Sequence, residues 1–258
     1  PTDRTGSMIP GSGELAFARY AYPPNVLGYC GPDDHRPLLQ YATSDAADDR
    51  LRDLARDFDG AWPYLRLIAA ANGIADPLDA RVVEAYWVGN ELLEAVPARD
   101  LAATVVARAG RTSVGPEHLA DRMRAGAIAH HSFHVLAVYP WLGLLRAGRT
   151  EPSLRVLERC LVRWGTVTEL RGDEAIVDVV TLVWDGEHLE LGASRAEPFT
   201  VAVDGYALSD KVAAGHQVAL HWDWVCDRLS PQAVHELRET TARTFDAVDR
   251  VERPEWAA

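Results

Sequence analysis

The hydrophobic repeat of this chain changes period near residue 155, and that change limits what it can fold into. Before it, apolar residues recur every three to four positions, the spacing of one helix face. After it, β-branched residues alternate with polar ones, and Gly172-Asp173 and Asp185-Gly186 supply turn signals. The pattern predicts an α+β protein: an all-α domain over residues 8–155, then a small OB-like β-barrel with a C-terminal helix over 156–258. Residues 1–7 read as a tag remnant, with Met8 the native start.

In the first part, helices are expected over 45–58, 62–71, 77–96, 97–109 and 116–145, the last bent or broken at Pro140. Asp76 and Pro77 read as N-cap and first helical residue of the third. The stretch 20–32 holds Pro23, Pro24, Gly28, Gly31 and Pro32, so it is expected not to form a continuous helix. In the second part, strands are expected over 161–170, 175–183, 188–192, 199–203 and 216–224. A final helix over 230–251 presents Val234, Leu237, Thr241, Phe245 and Val248 on one face.

The net charge of −12 disfavours phosphate backbones and anionic lipid, so neither nucleic acid nor a membrane surface is expected as partner. No apolar run reaches the roughly 18 residues of a membrane span. Three cysteines, Cys30, Cys160 and Cys226, are too few for a disulfide scaffold and fit a reducing cytoplasm. Phosphate-binding loops, dinucleotide fingerprints and nucleophile elbows are absent from the sequence.

Two sets of side chains carry potential chemistry. The first is the pair Cys160 and His221, a soft thiol and an imidazole 61 residues apart, both read as parts of the barrel. The second is the run Ala129-His130-His131-Ser132-Phe133-His134. On a helix His130 and His134 share a face, and His131 lies near His134. Cys30 or His35 could add a further ligand. No Glu separates these histidines in the zinc-protease manner, and a purely packed role for them stays open. The aromatic–proline segments 20–25 and 138–141 fit either docking surfaces or packed turns.

The segment from Cys160 to about Val251 resembles the HypC/HupF family of nickel–iron hydrogenase maturation chaperones. The resemblance rests on Cys160-Leu161-Val162-Arg163-Trp164-Gly165, on Gly172-Asp173-Glu174-Ala175-Ile176-Val177-Asp178-Val179, on the stretch from Val212 to His221, and on the terminal helix. The opening stretch resembles an uncharacterised actinobacterial family, with no residue assigned a role. The HypC/HupF resemblance implies an assembly chaperone that carries iron as an Fe(CN)2(CO) unit, with Cys160 as ligand and His221 beside it. It implies a HypD-type maturation protein and a hydrogenase large-subunit precursor as partners. Trp164, Trp222 and Trp224, which stand where the family carries other residues, are the candidate partner contacts. A metal- or haem-dependent enzyme built on the helical histidines with Cys30, and a metal-free interaction module, are the alternatives.

Overall fold

A computed structural model describes residues 12–109, 126–203, 205–209 and 212–250. Helices come first: α1 (Ser12–Val26), α2 (Arg36–Ala42), α3 (Asp49–Arg56), α4 (Trp62–Ala71) and α5 (Ala80–Trp87). A 3-10 turn at Glu91–Ala95 leads into α6 (Ala98–Ala109). Then follow α7 (His131–Ala137), α8 (Trp141–Arg146) and α9 (Thr150–Cys160). The chain then becomes strands β1 (Arg163–Arg171), β2 (Glu174–Trp184), β3 (Leu189–Thr200), β4 (Ala202–Val203), β5 (Tyr206–Ala207), β6 (Gln217–His221) and β7 (Trp224–Arg228), and ends in α10 (Pro231–Arg250). The expected order of helices, barrel and terminal helix is therefore present.

Local boundaries follow the caps. Asp48 accepts from the N–H groups of Arg50 and Leu51, so α3 starts at Asp49 rather than 45. Asp79, not Asp76, caps α5, because the Asp76 carboxylate is taken by the Leu78 N–H and by Arg52. Pro140 ends the α7 segment and starts α8, as its missing N–H requires. The 116–125 part of the expected helix lies outside the described residues.

The stretch 20–32 corrects the sequence reading, since α1 runs through Pro23 and Pro24. Both stand in its last turn, where a fixed helical φ is tolerated and the loss is two N–H donors. Pro24 therefore leaves the Tyr20 carbonyl without its helical partner. α1 is buried on several sides through Phe17, Ala18, Tyr20 and Ala21, and it packs against both α5 and the β6–β7 hairpin.

The five-stranded barrel closes in the order β1-β2-β3-β7-β6, with β3 and β7 parallel at Thr200↔Trp224 and the other neighbours antiparallel. Its strands divide the sequence differently from the alternation. The expected 188–192 and 199–203 segments merge into β3, with the tail of the second forming a separate ribbon with β5. The expected 216–224 strand ends at a turn, Trp222-Asp223, and continues as β7. Val167, Val177, Val179, Phe199, Val218 and Leu220 fill the barrel. Gly165 lies where β1 passes β2, and a Cβ there would sit 2.6 Å from Val177 Cγ1 and 2.7 Å from the Asp178 carbonyl oxygen. Gly165→Ala is expected to cost about 1–3 kcal/mol by overpacking, read as a lower denaturant midpoint with an unchanged slope.

Apolar packing does not stop at the change of period. One cluster joins Phe17, Tyr86 and Trp87 of the helices to Trp164, Ala219 and Cys226 of the barrel. A second joins Leu136 and Leu157 to Leu182, Trp222 and the α10 residues Phe245 and Val248. Among the described residues, no helix is long and apolar enough to cross a membrane.

Candidate metal centre

Along the seam between helices and barrel, His131, Cys160 and His221 place their ligand atoms within 4.8 Å of one another, and all three are buried. Each comes from a different element. His131 opens α7, Cys160 closes α9, and His221 closes β6.

The ends of helices hold this group together. In α9, Ser153, Leu157 and Cys160 follow at the spacing of one buried face, which turns Cys160 inward. The last carbonyls of a helix have no helical donor. In α9 two of them are taken by the site: Arg159 O accepts from the Trp222 N–H at 2.7 Å, and Cys160 O lies 2.8 Å from His131 Nε2. The Tyr20 carbonyl freed by Pro24 lies 2.7 Å from His221 Nδ1. A carbonyl can only accept, so Nδ1 of His221 carries the proton and Nε2 carries the lone pair. That Nε2 is buried and forms no hydrogen bond of full geometry in the protein, the Cys160 carbonyl being near enough only to pull on the ring. An imidazole with one nitrogen donating to a backbone carbonyl and the other bare is the arrangement of a metal ligand.

Trp222 completes the turn after His221 with φ of 55°, a left-handed conformation costly for a bulky residue. Its ring is buried and stacks on Tyr29, centroids 4.4 Å apart. The His131 and His221 rings meet edge to face at 5.0 Å, and Trp87 packs against both. His131 is the less free ligand, because Tyr86 Oη lies 3.3 Å from its Nδ1. Tyr86 also donates to the Gly60 carbonyl at 2.9 Å, so one phenolic proton faces two acceptors.

Burial sets the protonation states. It holds His221 down to about 4, against the pull of the Tyr20 and Cys160 carbonyls. It holds His131 well below the usual imidazole range, with His221 adding to the fall. Both are neutral near pH 7, the form that binds metal. Burial also pushes the Cys160 thiol up, and the neighbouring Cys30 adds to that rise. The thiol is thus protonated until a metal displaces the proton.

The structure brings Cys160 and His221 together, as their pairing in the sequence anticipates, although Cys160 ends a helix rather than beginning a strand. His130 and His134 stand apart from the group. His130 is the extended N-cap of α7, its Nδ1 accepting from the Ser132 N–H at 3.1 Å, so it shares no helix face with His134. His134 Nδ1 lies 3.1 Å from Tyr64 Oη. Cys30 lines the same cavity as the group without belonging to it, on a loop pinned by Asn25 through the Cys30 and Pro32 carbonyls. His35 caps α2. Trp164 and Trp222 are buried and Trp224 is half-buried against Tyr22, so none of the three is an exposed contact.

Residues 10–255 match the model of the Family of unknown function (DUF6390). The chain belongs to that family. No curated protein and no solved structure matches it. The family match runs through helices and barrel alike, and no HypC/HupF match accompanies it, which overturns the HypC/HupF resemblance of the C-terminal part. The Fe(CN)2(CO) cargo, the HypD-type partner and the hydrogenase precursor rest on that resemblance alone and lose their support with it.

Proposed function

We propose that this protein binds one thiophilic transition-metal ion at His131, Cys160 and His221 and serves as a metal-holding protein, with Cu(I) the best-suited ion. The bare, buried Nε2 of His221 beside a thiol and a second imidazole carries this reading. A thiolate with two imidazoles suits soft and borderline ions. Charge narrows the choice. Among the described residues that line the surrounding cavity there is no Asp, Glu, Lys or Arg. One thiolate therefore neutralises a monovalent ion completely, whereas a divalent ion, iron included, needs an anionic fourth ligand to reach the same balance.

Binding is expected at one Cu(I) per chain, measured by anaerobic competition with a chromophoric chelator and by elemental analysis. His221→Ala and His131→Ala should each weaken it strongly. Stoichiometric binding that survives both substitutions rejects the site. One proton leaves per ion, from the Cys160 thiol, because the histidines are already neutral. Affinity should accordingly rise about tenfold per pH unit between pH 6 and 8. A flat profile means that the thiol is not the ligand.

A further inference from the structure

The three donor residues line a cavity of about 140 Å³, together with Tyr139, Trp222 and Cys30. Three protein ligands leave a coordination position open to a further molecule, the arrangement of metal sites that bind more than the metal. The volume is close to that of an apolar cavity, roughly 150 Å³, that stays dry and admits benzene or xenon. With no charged side chain among its described lining residues, the cavity favours an uncharged occupant. Two lining residues have an indole N–H left wanting an acceptor: those of Trp87 and Trp222 are both buried without a hydrogen-bond partner in the protein, Trp87 packed against the His131 and His221 rings and Trp222 stacked on Tyr29 instead. Trp222 is the residue after His221, whose Nε2 is a third unpartnered atom among these lining residues. The imidazole lone pair suits a metal, and an indole donor suits the far end of whatever the metal binds.

We propose that the metal centre takes a small uncharged ligand in this cavity, bound to the ion at one end and accepting a hydrogen bond from Trp222 Nε1–H at the other. The proposal rests on the metal-centre reading above and assigns it a ligand. The ligand class is a neutral molecule of no more than about six heavy atoms with a donor atom for the metal and a second lone pair. Tyr29, half-exposed and stacked on Trp222, stands over the same side chain from the α1–α2 loop.

The test uses carbon monoxide as probe on the Cu(I)-loaded full chain under anaerobic conditions. A single C–O stretching band is expected in the infrared, saturating at one CO per copper. The indole N–H proton of Trp222, assigned by its absence from the spectrum of Trp222→Phe, should move downfield when CO binds. Trp222→Phe should keep its copper and bind CO about fivefold more weakly, the size expected for one net hydrogen bond. If that variant folds poorly, the CO band of the unsubstituted protein still decides whether a ligand binds, and Trp222→Tyr supplies the assignment in its place. Copper bound one per chain with no CO band overturns the ligand proposal and leaves the metal centre standing. A CO band with an unmoved Trp222 N–H resonance overturns the role of Trp222. Failure to bind copper at all removes the centre and the ligand together.

Discussion

Cys160→Ser is expected to lower Cu(I) affinity by about 10²- to 10³-fold, a single ligand's share of the binding energy of a small metal site. Cys30→Ser should lower it less than tenfold, and His130→Ala should leave it nearly unchanged. The three substitutions separate residues that the sequence alone cannot rank. Cys160 contributes a ligand atom to the group in which all atoms lie within 4.8 Å. Cys30 shares the cavity, and burial pushes its thiol up to about 12, but it is not one of the three. His130 spends Nδ1 on capping α7. The ordering is read from competition with a chelator of known affinity, alongside far-ultraviolet circular dichroism to verify that each variant is folded. An affinity loss in Cys30→Ser equal to that in Cys160→Ser would make the centre a two-thiolate site. Retention of affinity in Cys160→Ser would reject the centre as drawn.

Most of the architecture was legible because burial writes a period into the sequence. The face of α10 was readable from Leu237, Thr241, Phe245 and Val248, all buried. Five barrel strands were expected and five are present, but only because two expected segments merge into β3 while a third splits into β6 and β7. A continuous run such as 216–224 carries no mark where the chain turns, since the residue at the turn is Trp222 rather than glycine or asparagine. The α1 helix was hidden for the opposite reason. Pro23 and Pro24 signal a break, and only the tertiary partner of the Tyr20 carbonyl shows why the helix tolerates them. Cys160 and His221 were paired in the sequence as members of one barrel; Cys160 instead closes α9, and the two meet across the seam. His131 was not separable from His130 and His134, because which of three histidines faces the seam depends on where the helix begins. With His130 extended as the cap, His131 becomes the first helical residue and the one that meets Cys160 and His221. Histidine is not among the residues that favour an N-cap, so no local signal marked His130 as the cap.

Acid should unfold this protein between about pH 4 and 5.5, and the buried histidines should set the steepness of the transition. An unfolded imidazole titrates near 6.5. In the fold, burial holds His130 to about 3 and His221 to about 4, and keeps His131 well below the usual range. Below pH 6.5 the unfolded chain binds protons that the folded chain refuses, so stability falls as pH falls. The contribution is fully present above 6.5 and declines through the window down to the folded values. Each such histidine costs about 2 kcal/mol by pH 5, and three together reach the order of a whole domain's stability. His130→Asn separates this cause from general acid denaturation. Asparagine keeps an acceptor at the N-cap but cannot titrate. The variant should lose about a third of the steepness of stability against pH and unfold at a lower pH, followed by tryptophan fluorescence with urea titrations at each pH. Cu(I) should lower the midpoint further, because a metal-bound imidazole is held neutral and binding adds its own stabilisation to the folded state. An unchanged slope in His130→Asn would assign the acid transition to the carboxylates, and a protein stable below pH 3 would show that the unfolded histidines gain nothing by protonation that the fold withholds.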